Sequence, residues 1–190
     1  MVMNLLDLFT GTYQPYQLAF FQVSNKLIIE DSFITEDQSQ KIHKTLTDCF
    51  FPWYYQENTA RLKRKEFYFQ FAHVFFEHDK INSNYFELLD PILSKIKMKK
   101  LRRIKANLTT MHHEVKPLKA HIDYMDTSKK ARTGIYYVNT NNGCTLFPKI
   151  KKEIKSEANR FVSFPVNTQH TGTTHTDEKI RLVINFNYFI

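Results

Sequence analysis

The sequence predicts a mainly β fold with flanking α-helices, of the sandwich or barrel kind. From residue 102 onward, short segments alternate apolar and polar side chains with period two and are separated by turn residues. Two stretches with helical spacing of apolar residues precede them. The four glycines complete none of the motifs typical of dinucleotide sites, phosphate-binding loops or G-x-S-x-G hydrolases, which excludes those classes.

Length and cysteine content indicate a single domain that folds without disulfides. A chain of 190 residues has the size of one domain and buries about 70% of its unfolded surface. Cys49 and Cys144 lie far apart, which excludes a disulfide scaffold and suits a reducing compartment. Residues 1–25 are too apolar for a disordered tail, so we expect an arm that packs on a domain spanning 26–190.

The charge of the chain favours anionic partners. Lysine and arginine number 27 against 19 acids, which gives a net charge of +8. The N-terminus makes a poor signal peptide, and no apolar run approaches the roughly 20 residues that cross a bilayer. The sequence therefore predicts no membrane association and a cytoplasmic location.

The first predicted elements are a strand and a helix. Residues 26–34 form a short strand that ends in a turn. Thr35 and Gln38 make a capping-box pattern, which begins a helix over 35–49. The predicted buried face of this helix carries Ile42, Leu46 and Cys49.

A second strand and helix follow an aromatic cluster. The cluster at 51–55, FPWYY, is interpreted as core packing. Residues 67–76 are predicted to form a strand, and a second helix is predicted over 83–97, where Pro91 introduces a kink. Together these helices form a support over 35–97. The buried stripe of the second helix consists of Phe86, Leu89, Leu93 and Ile96.

The remaining chain predicts strands. They are expected at 102–109, 132–138, 144–147, 160–164 and 181–189, with an Asn-Gly turn over 139–143 from which 144–147 returns. The first of them puts apolar side chains on one face and polar ones on the other, namely Ile104, Ala106 and Leu108 against Arg103, Lys105 and Asn107.

The last strand carries a charge between apolar neighbours. One face holds apolar side chains and the other holds mainly polar ones, namely Leu182, Ile184, Phe186 and Tyr188 against Arg181, Val183, Asn185 and Asn187. A buried guanidinium needs an anion, because an unpaired buried charge is costly. If this face lines the interior, the interior holds an acidic side chain or an acidic ligand, and the helices pack outside the sheet.

Two histidines and a carboxylate form a candidate metal site. His121 and Asp123 are two residues apart, so on an extended chain both reach one cation. His170 offers a third ligand, and Arg181 follows it by eleven residues on the next strand. Two imidazoles and one carboxylate on one face of a metal leave the opposite positions open, as in non-haem Fe(II) oxygenases.

Other metal-like residues compete with this set. His175 lies only six residues before Arg181, too close for a strand end, a turn and a strand, so His170 is preferred. The pattern at 112–114, His-His-Glu, is interpreted as a solvated loop whose adjacent side chains point apart. Asp126 is interpreted as a loop residue, and His73 as a core histidine with satisfied hydrogen bonds.

The ordered motifs resemble a known family. The segments IKANL, HIDYMD, GIYYVNTNNGCTLFP, NRFVSFPVNTQHTGTT and RLVINFNYF, across residues 101–189, are similar to the Fe(II)- and 2-oxoglutarate-dependent oxygenases of the prolyl-4-hydroxylase-like branch. The chain resembles in particular small oxygenases of tailed phages, which would place it in the cytoplasm of the host cell. The resemblance implies a double-stranded β-helix, or jelly roll, over 101–189.

The resemblance also implies residue roles. His121, Asp123 and His170 would hold Fe(II), and Arg181 would bind the distal carboxylate of 2-oxoglutarate beside dioxygen as second cosubstrate. Tyr137 would assist the arginine. Thr109 stands where the family often has a further tyrosine, so Asn107, on the same face, is expected to line the site. Related halogenases lack the carboxylate, so its presence here favours hydroxylation, with release of succinate and CO2.

The sequence does not identify the substrate. The family likeness favours peptidyl proline, whereas basic clusters favour an anionic substrate such as nucleic acid or a phosphorylated sugar. A non-catalytic basic module that binds nucleic acid is the alternative. The two clusters consist of Lys95, Lys97, Lys99, Lys100, Arg102, Arg103 and Lys105, and of Lys149, Lys151, Lys152 and Lys155 in a predicted loop.

Overall fold

The structure, a computed structural model, describes residues 27–57, 69–126 and 130–190. The predicted arm at 1–25 lies outside the described residues. The strands are β1 (Ile28–Glu30), β2 (Tyr54–Gln56), β3 (Gln70–Glu77), β4 (Lys80–Ile81), β5 (Lys100–Thr110), β6 (Ala131–Tyr137), β7 (Asn141–Phe147), β8 (Lys152–Ser156), β9 (Arg160–Pro165), β10 (Thr171–Gly172) and β11 (Ile180–Phe189). The helices are α1 (Glu36–Leu46) and α2 (Asp90–Leu93), with 3-10 turns at Phe86–Leu89 and Pro148–Ile150.

Two antiparallel sheets form the domain, which confirms the predicted mainly β class with flanking helices. The larger sheet has the order β1-β9-β6-β11-β5-β3-β2, with β4 paired to β3. The smaller sheet has the order β10-β7-β8. Isolated bridges join Pro117 to Thr173 and His121 to His170, so the segment after β5 extends the smaller sheet. None of the described helices is long and apolar enough to cross a membrane.

Each face of the larger sheet packs against a different layer, as the alternation predicts. Apolar side chains of β5 and β11 lie with the helices in one buried cluster, which includes Ile42, Leu46, Leu89, Ile92, Ile104, Ala106, Leu182, Ile184 and Phe186. The opposite face packs against the smaller sheet through Ile135, Tyr137, Phe147, Ile154, Val162, Phe164 and Val183. The helices therefore cover the outside of the larger sheet, and the cavity described below lies between the two sheets.

The first helix begins where predicted and ends early. Thr35 and Gln38 form the capping box. The helix ends at Leu46 instead of residue 49, because Thr47 and Asp48 turn the chain: the Thr47 hydroxyl donates to the His43 carbonyl at 2.9 Å. Cys49, predicted to lie on the buried face, is consequently exposed.

The second helix is much shorter than predicted. Instead of a helix over 83–97, the chain forms a 3-10 turn followed by one turn of α-helix that starts at Asp90. Pro91 explains the break, because a proline has no N–H to donate and is accommodated only in the first turn of a helix. Of the predicted stripe, Leu89 and Ile96 are buried, whereas Phe86 and Leu93 are only partly buried against the same cluster; Ile92, which was not predicted, is buried as well.

The Asn-Gly segment leads to the other sheet instead of returning as a hairpin. β7 pairs with β8 and β10, and β6 pairs with β9 and β11. Asn139 holds β11, since its amide donates to the Ile180 carbonyl at 2.8 Å and accepts from Leu182 N at 2.8 Å. Asn142 N–H donates to the Asp177 carboxylate. These long-range hydrogen bonds direct the chain from the larger sheet into the smaller one. The second lysine cluster was predicted to lie in a loop, but Lys152 and Lys155 belong to β8, while Lys149 lies in the 3-10 turn and Lys151 directly follows it.

Replacing Gly134 with alanine is expected to destabilise the larger sheet. The added Cβ would lie 2.4 Å from Cζ of Phe161, a ring that is 3% exposed and stacked on Phe33. We expect the free energy of unfolding to fall by about 1–3 kcal/mol, measured by urea denaturation. In a Phe161→Leu background the loss should shrink, because the clashing ring atoms are gone; an equal loss in both backgrounds would contradict the clash.

Candidate metal centre and its cavity

Three ligand side chains converge where the two bridged segments meet. His121 and His170 pair through their backbones, with both N–H to carbonyl distances at 2.9 Å. Nε2 of His121 lies 3.7 Å, and Nε2 of His170 lies 3.8 Å, from Oδ1 of Asp123. One ligand atom from each residue falls within 4.8 Å of the others, so a single ion could bind all three.

The histidine rings are oriented by backbone carbonyls. Nδ1 of His121 lies 3.3 Å from the Lys119 carbonyl, and Nδ1 of His170 lies 3.0 Å from the Thr168 carbonyl. A carbonyl oxygen only accepts hydrogen bonds, so in the neutral rings the proton is on Nδ1. The lone pair of each Nε2 is therefore free to bind a metal.

The larger sheet holds the carboxylate of Asp123 in place. Its Oδ2 accepts hydrogen bonds from the Thr133 hydroxyl at 2.5 Å and from the Asn187 amide at 2.7 Å. Asn187 also donates to the Thr133 hydroxyl oxygen at 3.1 Å, which ties the two donors together. Since Oδ2 is occupied in this way, Oδ1 is the oxygen that faces both histidines.

The electrostatics of the site favour the protonation states that bind metal. Burial alone would raise the pKa of Asp123, but His170, the hydrogen bonds from Thr133 and Asn187, and His121 bring that pKa below its usual value. Burial lowers the pKa of His170 despite the nearby Asp123. At neutral pH the site therefore offers a charged carboxylate and a neutral imidazole.

A cavity of about 790 Å³ lies between the sheets at this centre. Arg181 lies on its wall and is buried, and its Nε donates to the Ser156 hydroxyl oxygen at 2.9 Å. Among the described residues, no acidic side chain lies within 4.0 Å of the Arg181 guanidinium. Burial lowers the pKa of Arg181, yet a guanidinium keeps its charge in proteins. An unpaired buried cation of this kind calls for an anionic ligand.

Gly143 makes room beside Arg181. A Cβ at Gly143 would lie 2.8 Å from Oδ1 of Asn141 and 3.1 Å from Cδ of Arg181, so one or both of these side chains would have to shift. A Cβ at Gly172 would make ordinary contact, at 3.5 Å from Nη1 of Arg181.

The other predicted cofactor residues differ in their access to the cavity. Asn107 lines it, and its buried Oδ1 has no hydrogen-bond partner among the described residues. Thr109 also lines it, opposite Arg181 in the strand register. Tyr137 is fully buried and donates to the Thr145 hydroxyl at 2.7 Å, so Thr145 occupies the cavity wall there. The roles of Tyr137 and Asn107 in binding a cofactor stay predictions.

The competing histidine and aspartate lie elsewhere. His175 is completely buried and is absent from the ligand cluster. Asp126 lies in the loop, where its Oδ2 accepts from Ala131 N at 3.0 Å. His73 is a satisfied core histidine as expected, with ring nitrogens 2.8 Å from the Pro52 carbonyl and 2.7 Å from the Ser83 hydroxyl.

The His-His-Glu pattern lies in a loop after β5, as predicted, but its geometry differs. The rings of His112 and His113 are 4.2 Å apart, whereas adjacent side chains of an extended chain would point apart. The chain bends at His113, which brings the rings together. Nε2 of His113 pairs with Glu114 at 2.8 Å.

Four positioning residues were not predicted individually. They are Thr133, Thr145, Ser156 and Asn187. The alternation of the last strand puts Asn187 on the same face as Arg181, which is the signal that could have pointed to it. Nothing local identifies its partner Asp123, which lies 64 positions away.

The fold matches solved oxygenase structures. No protein-family model matches the sequence, and no curated protein matches it. The collagen prolyl hydroxylase of Paramecium bursaria Chlorella virus 1, in complex with 2-oxoglutarate, has a TM-score of 0.58 at 14% identity, over 86% of this chain and 96% of that one.

Two further structures show the same likeness. A Trichoplax adhaerens prolyl hydroxylase in complex with a hypoxia-inducible-factor peptide has a TM-score of 0.63 at 11% identity, over 87% of this chain and 84% of that one. The epimerase SnoN from nogalamycin biosynthesis, in complex with Fe3+ and α-ketoglutarate, has a TM-score of 0.63 at 11% identity, over 87% of this chain and 79% of that one. The chain thus has the double-stranded β-helix fold of 2-oxoglutarate- and iron-dependent oxygenases, as expected.

Replacing Thr133 with valine should weaken metal binding without removing a ligand. The change deletes a hydrogen bond to Asp123. Loss of a hydrogen-bond partner of a metal ligand typically lowers metal affinity by about 10- to 100-fold. We expect the affinity for Mn2+, measured by calorimetry, to fall within that range, and Thr133→Ser to retain the wild-type value because it keeps the hydroxyl. Equal affinities in all three proteins would show that the hydrogen bond does not hold the ligand.

Proposed function

We propose that the protein is an Fe(II)- and 2-oxoglutarate-dependent dioxygenase that hydroxylates its substrate and releases succinate and CO2. The observation that carries the proposal is that one cavity contains both the cluster of His121, Asp123 and His170 and the unpaired buried Arg181. The structural neighbours in complex with 2-oxoglutarate or with Fe3+ and α-ketoglutarate support it.

The donor set fits the proposed metal. Two imidazoles and one carboxylate, with ligand atoms within 4.8 Å of one another, are the donor set of the facial arrangement that binds Fe(II) and leaves other positions open. Bound Fe(II) would supply the one-electron and dioxygen chemistry that no side chain provides. Asp123 occupies the position that would have to be vacant for a halide, which is why hydroxylation is proposed.

The side chains around the centre bind and orient 2-oxoglutarate. Arg181 presents a planar guanidinium, which would pair with the distal carboxylate, since this group suits two-point recognition of a carboxylate. Ser156 fixes the guanidinium through Nε, which leaves the terminal nitrogens for the ligand. Ile135 and Val183 add apolar surface to the wall between the arginine and the metal centre. This apolar surface limits water near the cosubstrate and strengthens the charge pair.

The substrate proposed is a peptidyl proline. Several structural neighbours are prolyl hydroxylases, and one is in complex with a peptide. A neighbour that is an epimerase shows that the fold also serves other reactions, so nucleic acid and nucleotide-sugar substrates stay alternatives. For the nucleic-acid module, the structure divides the first basic cluster: Lys95 lies over the Phe33 ring near the helices, whereas Lys105 lines the cavity.

Succinate formation tests the proposal directly. The purified protein, supplied with Fe(II), dioxygen and 2-oxoglutarate, should form succinate, and Asp123→Ala should abolish it because the carboxylate ligand is lost. Succinate measured by chromatography decides the outcome. Undiminished turnover in Asp123→Ala would reject the metal assignment.

Arg181→Met separates the cosubstrate site from the metal site. Removing one partner of a buried charge pair costs about 2–5 kcal/mol, so the affinity for 2-oxoglutarate should fall by about 100-fold. The affinity for Mn2+ should change less than twofold, because Arg181 touches none of the three ligands. Both affinities are measured by calorimetry. Survival of 2-oxoglutarate binding would mean that Arg181 is structural.

A further inference from the structure

A second cationic region lies on the cavity wall beside the metal centre. The inner face of β5 continues from Asn107 to Lys105 and Arg103. In the register with β11, Lys105 lies opposite Asn185 and Arg103 lies opposite Asn187, the residue that donates to Asp123. Along the strands, these cations therefore lie at the same height as Asn187, which holds Asp123.

Arg181 lies at the other end of the same inner face. It precedes Asn185 by four residues on β11, which corresponds to about 13 Å along a strand. Arg181, which we assign to the cosubstrate, therefore lies in a different part of the sheet from Arg103 and Lys105. The region near Arg103 and Lys105 is available to a different molecule.

Lys105 has no partner among the described residues. Its ammonium makes no hydrogen bond and no ion pair within 4.0 Å with them, although the residue is half-buried. Burial, followed by the charge of Arg103, lowers the pKa of Lys105 to about 8. The lysine thus stays mostly charged at neutral pH in a place that disfavours its charge. A bound anion would relieve this cost.

Two further donors without partners belong to residues that line the same cavity as the lysine. Nε of Arg103 and the hydroxyl of Tyr124 are both buried without a hydrogen-bond partner among the described residues. The nearest carboxylate to the Arg103 guanidinium, Glu77, is 3.9 Å away, too far for a hydrogen bond. Tyr124 is held by Arg102, whose Cζ lies 4.2 Å above the ring. Arg103 and Tyr124 also line a neighbouring cavity of about 540 Å³, so a substrate can extend past them.

The charge balance of the larger cavity points the same way. Among the residues that the structure describes, four cationic side chains line it, namely Arg103, Lys105, Lys119 and Arg181, against one carboxylate, that of Asp123. A bound metal takes this carboxylate, and a dianionic cosubstrate neutralises the metal and Arg181. Among the described residues, Lys105 then remains without a paired acid, and Arg103 is paired only with Glu77, at 3.9 Å.

We propose that Lys105 and Arg103, with the hydroxyl of Tyr124, form a subsite for an oxyanion, a phosphate or a carboxylate, of the primary substrate. The proposal rests on the proposed function for the identity of the metal and the cosubstrate. It narrows the substrate to a molecule, peptide or other, that carries such a group close to the C–H bond that is oxidised.

The test measures anion binding near the metal in the full-length chain. Mn2+ and saturating 2-oxoglutarate are bound first, and inorganic phosphate or acetate is then titrated. The enhancement of phosphorus or carbon nuclear relaxation by Mn2+ reports binding close to the centre. The proteins are wild type, Lys105→Met, Arg103→Gln and, as a matched control, Lys152→Met, which changes an exposed lysine of β8. Thermal unfolding shows that each variant is folded.

The proposal predicts saturable binding of at least one of the two anions by the wild-type protein. The affinity should fall at least tenfold in Lys105→Met and in Arg103→Gln, and less than twofold in Lys152→Met. A preference for phosphate or for acetate identifies the kind of oxyanion. Binding that is absent, or equal in all four proteins, would overturn the subsite, because direct coordination of the anion to Mn2+ does not depend on Lys105.

Separate measurements distinguish failure of this subsite from failure of the proposed function. The affinities for Mn2+ and 2-oxoglutarate are determined in every variant before the anion is added. Loss of 2-oxoglutarate binding in Lys105→Met but not in Arg181→Met would assign Lys105 to the cosubstrate and overturn the inference. If wild type binds neither Mn2+ nor 2-oxoglutarate, the proposed function fails, and the anion titration of the unloaded proteins, followed by chemical shift, decides the subsite alone.

Discussion

The backbone pairing of His121 with His170 is the constraint on which the candidate site depends. Two hydrogen bonds fix these residues opposite each other, so their rings lie side by side with centroids 4.7 Å apart. Asp123 follows two residues later and is fastened to the larger sheet by Thr133 and Asn187. The smaller sheet thus positions the two candidate nitrogen ligands, and the larger sheet orients the candidate oxygen ligand.

Isolated charges inside the fold give the cavity its chemical character. Arg181 is buried with one neutral hydrogen-bond partner, Ser156, and Asp123 is buried among neutral donors and imidazoles. Among the described residues, no acidic side chain lies within 4.0 Å of the Arg181 guanidinium, and no lysine or arginine lies within 4.0 Å of the Asp123 carboxylate. Because uncompensated burial of charge is costly, such positions are retained where a ligand compensates them. Lys105 on β5, which has no partner among the described residues, is a further charge of this kind.

The fold divides one basic sequence cluster between the two sides of the larger sheet. On β5, Arg103 and Lys105 point toward the cavity while Ile104 and Ala106 point into the helical layer. Lys95 precedes the strand and covers the Phe33 ring on the other side of the sheet. The cluster is continuous in sequence, but Lys95 and the pair of Arg103 and Lys105 thus lie in different parts of the structure.

The sequence by itself determined the features that depend on near neighbours. Period-two alternation predicted which side chains of β5 and β11 share a face, because the pleat reverses the side-chain direction at each residue. The spacing of His121 and Asp123 predicted that they share a side for the same reason. The capping box predicted the start of the first helix, since its two hydrogen bonds join residues three apart.

Only the tertiary structure decided the features that depend on distant partners. The end of α1, the passage of the chain into β7 and the attachment of Asp123 to Thr133 and Asn187 each require contacts that the local pattern does not encode. The convergence of His170 on Asp123 is of the same kind, because period two gives a direction for each side chain but not the strand it will meet. The distances within the site follow from sheet order and register, which packing of the whole chain fixes.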